Sequence, residues 1–318
     1  MTMKGSQLLL ILLICQTLIF ACASDADDSP GDQDTNKNKN ITEEEDKSDE
    51  KEDEKKNDGL IVLESFPLCD DLKQPTPSLL SNRDDANSGK CGIFIEENGL
   101  VIFEAENTQS DYNSADNDWV FSNADTEVSA DGGFVNTKMI NDHRGSGYLW
   151  YNGNFWNKDA YKPSPLVYKF KVQNTGSYRM LVRSIKAVDK VGKRGDTFND
   201  CFVRMEGNFQ NGQINEKCID LGGKDVLLPS DYHLRKDTKY FGASNEEWKS
   251  SGVFDAHLDY KPWAVYTFKA GETYTLIVSG RSRNYHIDRW ILFDLHKYTW
   301  GEMNNYLKNG AQSACMAE

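Results

Sequence analysis

The stretch from Trp263 to Asp294 constrains the fold more than any other. It reads WAVYTFKAGETYTLIVSGRSRNYHIDRWILFD. In Val265–Lys269, Tyr266 and Phe268 alternate with Thr267 and Lys269. Ala270-Gly271-Glu272 is a short polar turn, and Tyr274, Leu276 and Val278 then share one face of a second run. After a break at Gly280-Arg281-Ser282, Ile287 to Phe293 is apolar on both faces. Period-two alternation bounded by glycine-containing turns predicts an antiparallel meander. Two-sided apolarity in the last run predicts a central strand covered on both faces.

An earlier segment has the same design. Val167–Lys171, Thr175-Gly176-Ser177-Tyr178, Met180, Val182 and Arg183-Ser184 echo Val265–Lys269, Gly271, Tyr274 and Arg281-Ser282. Two hairpins about a hundred residues apart read as equivalent edges of two facing sheets, not as a solenoid period. Ile93-Phe94-Ile95 and Val101-Ile102-Phe103 flank Glu96-Glu97-Asn98-Gly99, and Asn-Gly between apolar runs predicts another hairpin. Further strands are expected at Trp119–Phe121, Gly147–Tyr151, Leu166–Val172, Tyr178–Ser184 and Cys201–Glu206. A helical period occurs only at Trp300–Leu307. Many short strands, long Gly/Asn-rich connections and no βαβ rhythm predict an all-β chain: a two-sheet antiparallel β-sandwich of the jelly-roll type.

The chain has 318 residues, a formal net charge of −14 and 11% aromatics. That acidity argues against nucleic acid and against an anionic membrane surface as partners. Lys4 precedes an apolar run from Leu8 to Phe20, then Ala21-Cys22-Ala23. The run is a secretory signal, too short to span a bilayer. Ala21-Cys22-Ala23 reads as an ordinary small-x-small cleavage site. Alternatively, Ile19-Phe20-Ala21-Cys22 resembles a bacterial lipobox, with Cys22 as the lipidated first residue. The acidic start after Cys22 resembles exported lipoproteins of Bacteroidetes, which implies an outer-membrane anchor through acyl chains. From Asp25 to Asp58 there are 15 acids and 6 lysines, a net of −9. Such a segment has no apolar surface to offset its ordering entropy and is expected to be an extended, disordered stalk. The expected organisation is a signal and lipidated cysteine at 1–22, a stalk at 23–59, a lead-in at 60–92, the sandwich at 93–297 and an extension at 298–318. Leu60–Leu63 in the lead-in is either a strand packed on the domain or a loose attachment.

The folded part carries a more specific resemblance. Glu104-Ala105-Glu106, Gly147-Tyr148-Leu149, Gly176-Ser177-Tyr178 leading to Arg183-Ser184, and Gly271, Tyr274, Arg281-Ser282 and Ile287-Asp288-Arg289 follow one another in this order. The series resembles carbohydrate-binding modules of families 6 and 35, which have a galactose-binding-like jelly roll. Asn199-Asp200-Cys201-Phe202-Val203-Arg204 is similar to a strand of variants from marine polysaccharide-degrading bacteria. The resemblance runs from about Gly99 to Leu295, with insertions around Asn208–Trp248. It implies a structural Ca²⁺ held by Glu104, Glu106 and Asp288. Glu104 and Glu106 at i, i+2 share one strand face, and hard oxygens suit Ca²⁺.

Saccharides are held by aromatic faces plus fixed hydrogen-bonding groups. Trp150-Tyr151-Asn152-Gly153-Asn154-Phe155-Trp156 is dense in both, so Trp150, Tyr151 and Trp156 are candidate ligand residues. Trp248, His257 and Trp263 are candidates for the same rim. Arg281, Arg283 and Tyr285 precede the final strand and would suit an anionic sugar; a solvated turn is the plainer reading. Export favours disulfides. Five cysteines remain beyond Cys15 and Cys22, an odd number, so at least one stays free or pairs externally. Separation alone pairs Cys201 with Cys218 and Cys69 with Cys91.

No Gly-x-Ser-x-Gly, His-Glu-x-x-His or phosphate loop occurs in the sequence, and none of the five histidines has ligand spacing. Asp255 and Asp259 around His257, and Arg283, Tyr285 and His286, are the acid/base groupings left to weigh. The expectation is a surface-anchored lipoprotein that binds polysaccharide without catalysis, for neighbouring glycan-degrading enzymes or transporters. A polysaccharide lyase or glycoside hydrolase on the same scaffold, and an adhesion or structural lipoprotein, are the alternatives.

Overall fold

A computed structural model describes residues 90–317, apart from 124–128, 131–133, 136–141, 154–163, 187, 190–197, 213, 215–226, 230–231, 233–235, 242–246 and 257; for 129–130, 134–135 and 188–189 it describes the backbone alone. All belong to the second of two compact units, Asn57–Glu318. The signal, Cys22, the stalk and Leu60–Leu63 lie outside the described residues.

The strands are, in chain order, β1 (Ile93–Ile95), β2 (Leu100–Glu104), β3 (Trp119–Ser122), β4 (Ser129–Ala130), β5 (Phe134–Val135) and β6 (Tyr148–Tyr151). There follow β7 (Leu166–Lys171), β8 (Gly176–Lys186), β9 (Val188–Asp189), β10 (Asp200–Glu206), β11 (Gln210–Asn211) and β12 (Thr238–Phe241). The last are β13 (Lys249–Ser251), β14 (Val253–Asp255), β15 (Val265–Phe268), β16 (Thr273–Gly280), β17 (Tyr285–Asp294) and, after helix α1 (Trp300–Asn309), β18 (Cys315–Met316). One sheet runs β14-β12-β10-β16-β7-β1-β18. The facing sheet runs β11-β15-β8-β17-β6-β3, with β13 beside β8 and β2 beside β17. A small third sheet is β4-β5-β9. The fold is an all-β sandwich of the jelly-roll type, antiparallel except where β1 meets β7.

Alternation decides which side chains enter the core. Tyr168, Phe170, Val203, Leu276 and Val278 come from one sheet, and Phe103, Val182, Tyr266, Ile287 and Trp290 from the other. The wet positions are also as expected: β7 alternates buried and half-buried residues along its length. β17 is buried on both faces, as its composition predicts. One face joins the core, while Ile291 and Phe293 pack with Met303, Tyr306 and Leu307 of α1. These helix residues recur at i, i+3 and i+4, which makes one apolar stripe. Thr299 caps α1: its hydroxyl accepts from the Glu302 amide, and Glu302 Oε2 accepts from the Thr299 amide at 2.9 Å. The segment 298–318 is thus integral to the sandwich, through α1 and through β18 pairing with β1.

The pairing differs from the expected meander. β15 and β16 do not pair: β15 pairs with β8, and β16 with β7 and β10. The Ala270–Glu272 turn crosses from one sheet to the other, so Phe268 and Tyr274 meet across the core with ring centroids 4.4 Å apart. Nor do β7 and β8 form a hairpin. The two similar segments interlock, with β7 of the first against β16 of the second, and β8 of the first against β15 of the second. They are interior strands and not sheet edges. At Asn98-Gly99 the turn chemistry is as expected, with φ of 54° and 86°. Only the Glu97–Leu100 bridge forms there before β1 and β2 diverge into different sheets. Period two tells which face is dry; it carries no information on which strand completes the ladder.

The cysteines differ too. Cys91 bonds Cys315, 224 residues away in sequence, which excludes the Cys69–Cys91 pairing. Cys201, paired in its sheet with Tyr240 and Gly280, belongs to the core and is a free, buried thiol, so it is not bonded to Cys218. Cys69 and Cys218 lie outside the described residues. The Cys91–Cys315 bond ties β18, the last described strand, to the segment that leads into β1. Replacing Cys315 by Ser should lower unfolding stability by about 2–5 kcal/mol, read as a lower denaturant midpoint with an unchanged β-type circular dichroism spectrum.

Candidate functional site

The outer face of the β8/β17 sheet holds the chemistry. Pairing between β8 and β17 slips between Ile287 and Arg289. Ile287 and Trp290 both enter the core, so this bulge turns the two residues between them, Asp288 and Arg289, to the outer face. Glu104 at the end of β2 lies opposite Arg289. Its Oε2 accepts from Arg289 Nε at 3.1 Å, and its Oε1 from Arg289 Nη2. Arg289 Nη1 donates to the carbonyls of Leu307 (3.3 Å) and Gly310 (2.7 Å) at the C-terminal end of α1. Asp288 accepts from the Arg144 amide at 2.8 Å and from Arg183 Nη1. Arg183 Nη2 also donates to the Asp142 carbonyl at 2.7 Å.

Glu106, in the turn after β2, is the member without a cation. Its Oε1 accepts from the Ser146 amide (2.8 Å), the Ser146 hydroxyl (2.9 Å) and the Gly147 amide (3.2 Å). Its Oε2 is buried with no hydrogen bond. Gly145, at φ +59°, packs against it: a Cβ there would stand 2.6 Å from Glu106 Oε1. Burial, then Glu104, pushes the Glu106 carboxyl up to about 8. Burial also raises Asp288, against the pull of Arg183 and Arg289. Burial opposes the charge on Arg289, but Glu104 outweighs it and raises the guanidinium's pKa.

The three carboxylates expected to hold Ca²⁺ therefore do converge, but as a network with two guanidinium groups. Both oxygens of Glu104 and both of Asp288 are engaged. One unpartnered oxygen remains, where Ca²⁺ takes six to eight. Among the described residues no cluster of acids, histidines or cysteines is arranged to hold a metal. The donor set does not fit the ion.

Beyond this network the same face is aromatic. Tyr148 stands 5.5 Å from Trp248 and 5.8 Å from His286, and Trp150 stacks on His286 at 6.2 Å. Burial lowers His286 to about 4, so it is a neutral ring at neutral pH. Next to Trp248 a cleft of about 440 Å³ opens between the sheet and α1, within the size range of small-ligand sites. Its sheet side is Arg183, Trp248, Lys249 and Ser250; its helix side includes Trp300, Asn304, Asn305 and Lys308. Arg183 lies over the Trp248 ring at 5.3 Å. Trp300 is 49% exposed, a large apolar ring presented to solvent. Ser250 hydrogen-bonds Asn304 across the cleft.

The expected ligand residues separate into groups. Trp150 and Trp248 share the aromatic row. Trp263 sits on the same sheet at a different place, beneath Arg179 at 3.8 Å. Tyr151 and Tyr285 are buried in the core, because alternation turns them opposite to Trp150 and His286. Arg281 is bound to Asp200 at 2.6 Å, and Arg283 donates to Asn152 Oδ1 at 2.8 Å. The Arg283, Tyr285 and His286 grouping is thus split between two faces. Asp255 is held by Lys239 and Lys261, which outweigh its burial and lower it to about 2, so it is no proton donor. Trp156 and His257 lie outside the described residues. Sequence reading missed Trp300, Asn304 and Lys308; their i, i+4, i+8 spacing on a helix was the available signal.

The Glu106 carboxyl makes a pH prediction. Its folded-state pKa is above the 4.5 ordinary for a glutamate, so the folded protein binds this proton more tightly. That contribution is complete below about pH 4.5 and is lost as pH rises through about 8. Across this window wild type should lose up to about 1.4 kcal/mol per pH unit relative to Glu106→Gln. Calorimetry at a series of pH values checks it; parallel curves for the two proteins would contradict it. The donor set adds a second expectation. Neither added Ca²⁺ nor a chelator should move the melting temperature, since only a ligand preferring the folded state shifts it.

No protein-family model matches this chain. No curated protein matches it either. Solved structures do. The GH26-CBM35 β-(1,4)-mannanase of Podospora anserina aligns at 12% identity and a TM-score of 0.31, over 64% of this chain and 29% of the mannanase chain. The isomalto-dextranase of Arthrobacter globiformis T6, in complex with panose, aligns at 12% identity and a TM-score of 0.30, over 62% of this chain and 24% of its own. A family 35 carbohydrate-binding module of Clostridium thermocellum aligns at 13% identity and a TM-score of 0.29, over 61% of this chain and 98% of the module. This chain therefore spans less than a third of either enzyme. At these scores the likenesses assign it no ligand and no activity.

Proposed function

We propose that this chain is a glycan-binding lipoprotein that holds polysaccharide, without cleaving it, in the cleft between α1 and the outer sheet face. The single observation carrying this reading is the cleft's lining. Trp248 and the exposed Trp300 supply apolar faces, and Asn304, Asn305 and Ser250 supply amide and hydroxyl groups. Sugar C–H faces stack on indole, while hydroxyls need donors and acceptors in fixed positions. Among the described residues the lining contains no carboxylate and no imidazole. Glycoside hydrolysis by paired acids has no pair to use there, which favours capture over catalysis. Acylation of Cys22 and an extended acidic stalk would carry the domain at the outer-membrane surface, near glycan-degrading enzymes or transporters. The resemblance of Ile19-Phe20-Ala21-Cys22 to a lipobox and the net −9 of Asp25–Asp58 support that placement.

Two experiments test the reading. In affinity electrophoresis against a panel of plant, algal and host polysaccharides, at least one polymer should retard the protein. Trp300→Ala should weaken that binding at least about tenfold, with no oligosaccharide released on long incubation. Release of products would overturn the non-catalytic reading. Metabolic labelling with palmitate should mark wild type and leave Cys22→Ser unlabelled.

A further inference from the structure

The charged side chains described in the cleft lining are all cations, in a chain that is acidic. The protein carries −14 overall, yet among the described residues Arg183, Lys249 and Lys308 line the cleft and no acid does. These three cations are not equivalent. Arg183 is buried and fixed by Asp288 and Asp142, so its charge is balanced beneath the floor. Lys249 and Lys308 are on the rim. Lys249 meets Glu247 at 3.1 Å with side chains 60% and 66% exposed, and Lys308 meets Asp142 at 3.8 Å with side chains 55% and 52% exposed. Exposed pairs of this kind are weak and screened by salt. An incoming anion can take either ammonium group at little cost, whereas it cannot displace the buried Asp288 from Arg183. The two lysines stand on opposite walls, one on β13 and one on α1, with the tryptophans beside them.

We infer that the cleft takes an anionic saccharide, carrying carboxylate or sulfate groups, and that Lys249 and Lys308 read its charge. This rests on the glycan-binding reading above and adds the chemical class of the ligand. Bulk attraction does not account for it, because the field of the whole chain repels polyanions. Any preference for them has to be local to the cleft.

The test uses matched polymers with the full chain. Polygalacturonate is compared with its methyl ester, and a sulfated galactan with the same galactan after desulfation, by affinity electrophoresis at low and high salt. The expected result is at least tenfold tighter binding to the charged member of one pair, weakening with salt. The pair that shows it identifies carboxylate or sulfate as the group read. The double variant Lys249→Ala/Lys308→Ala should lose that preference while keeping the weaker binding to the neutral polymer. Lys→Arg at both positions should retain the preference, which separates a charge-reading role from a structural one. Trp300→Ala should weaken binding to both members alike. Equal or tighter binding to the neutral polymers, unchanged in the double variant, would overturn the inference and leave glycan binding standing. Absence of binding to every polymer would overturn both.

Discussion

The docking of α1 onto the β8/β17 sheet is the constraint on which the site depends. β17 has apolar residues on both faces, and its outer Ile291 and Phe293 require a cover as its inner face requires the opposite sheet. Met303, Tyr306 and Leu307 supply that cover. Arg289 locks it by bonding Glu104 on β2 and the carbonyls of Leu307 and Gly310 at the helix end. A buried guanidinium is tolerable only when its donors are satisfied. Here the partners come from two elements, so satisfying the arginine fixes the helix on the sheet. One wall of the cleft consists of α1 residues, so the cleft exists only with the helix in place.

The interlocked repeat explains why the sandwich is closed around an aromatic core. Each of the two similar segments crosses from sheet to sheet at a short turn, after Val172 in the first and after Phe268 in the second. The inner faces then look at each other across the core, and rings meet both between the segments, Phe170 of the first with Phe268 of the second at 5.4 Å, and within the second, Phe268 with Tyr274 at 4.4 Å. Offset and edge contacts of this kind are worth more than the area they bury. Interlocking puts β15 on one side of β8, while β2 and β6 flank β17 on its far side, so the long β8/β17 ladder is interior and carries the bulge that presents Asp288 and Arg289 outward.

How much of the site was readable varied with how local its determinants are. Glu104, Glu106 and Asp288 do converge, but not on one strand face: β2 ends at Glu104, and a 3-10 turn over Ala105–Asn107 carries Glu106 to the others. What they converge on depends on Arg289, one residue further along the bulge, and on Arg183 of β8. No pattern in the sequence announces a bulge between Ile287 and Arg289, and without it Arg289 would face the core side. Trp150 and Tyr151 were indistinguishable by composition, yet one step along a strand separates an outer-face ring from a core ring. The same step separates His286 from Tyr285.

Taken alone, the sequence determined the class of fold, the positions of most strands, the helix at Trp300, the dry face of each run and the turn chemistry at Asn98-Gly99. These follow from side-chain period and local backbone preference, which act over a few residues. Only the tertiary structure decided which strands pair, that Cys91 joins Cys315 while Cys201 stays free, that arginines occupy the carboxylates, and that a cleft opens between helix and sheet. Those outcomes depend on contacts between residues far apart in sequence, and a one-dimensional pattern holds no record of which distant partner satisfies a buried charge or completes a ladder.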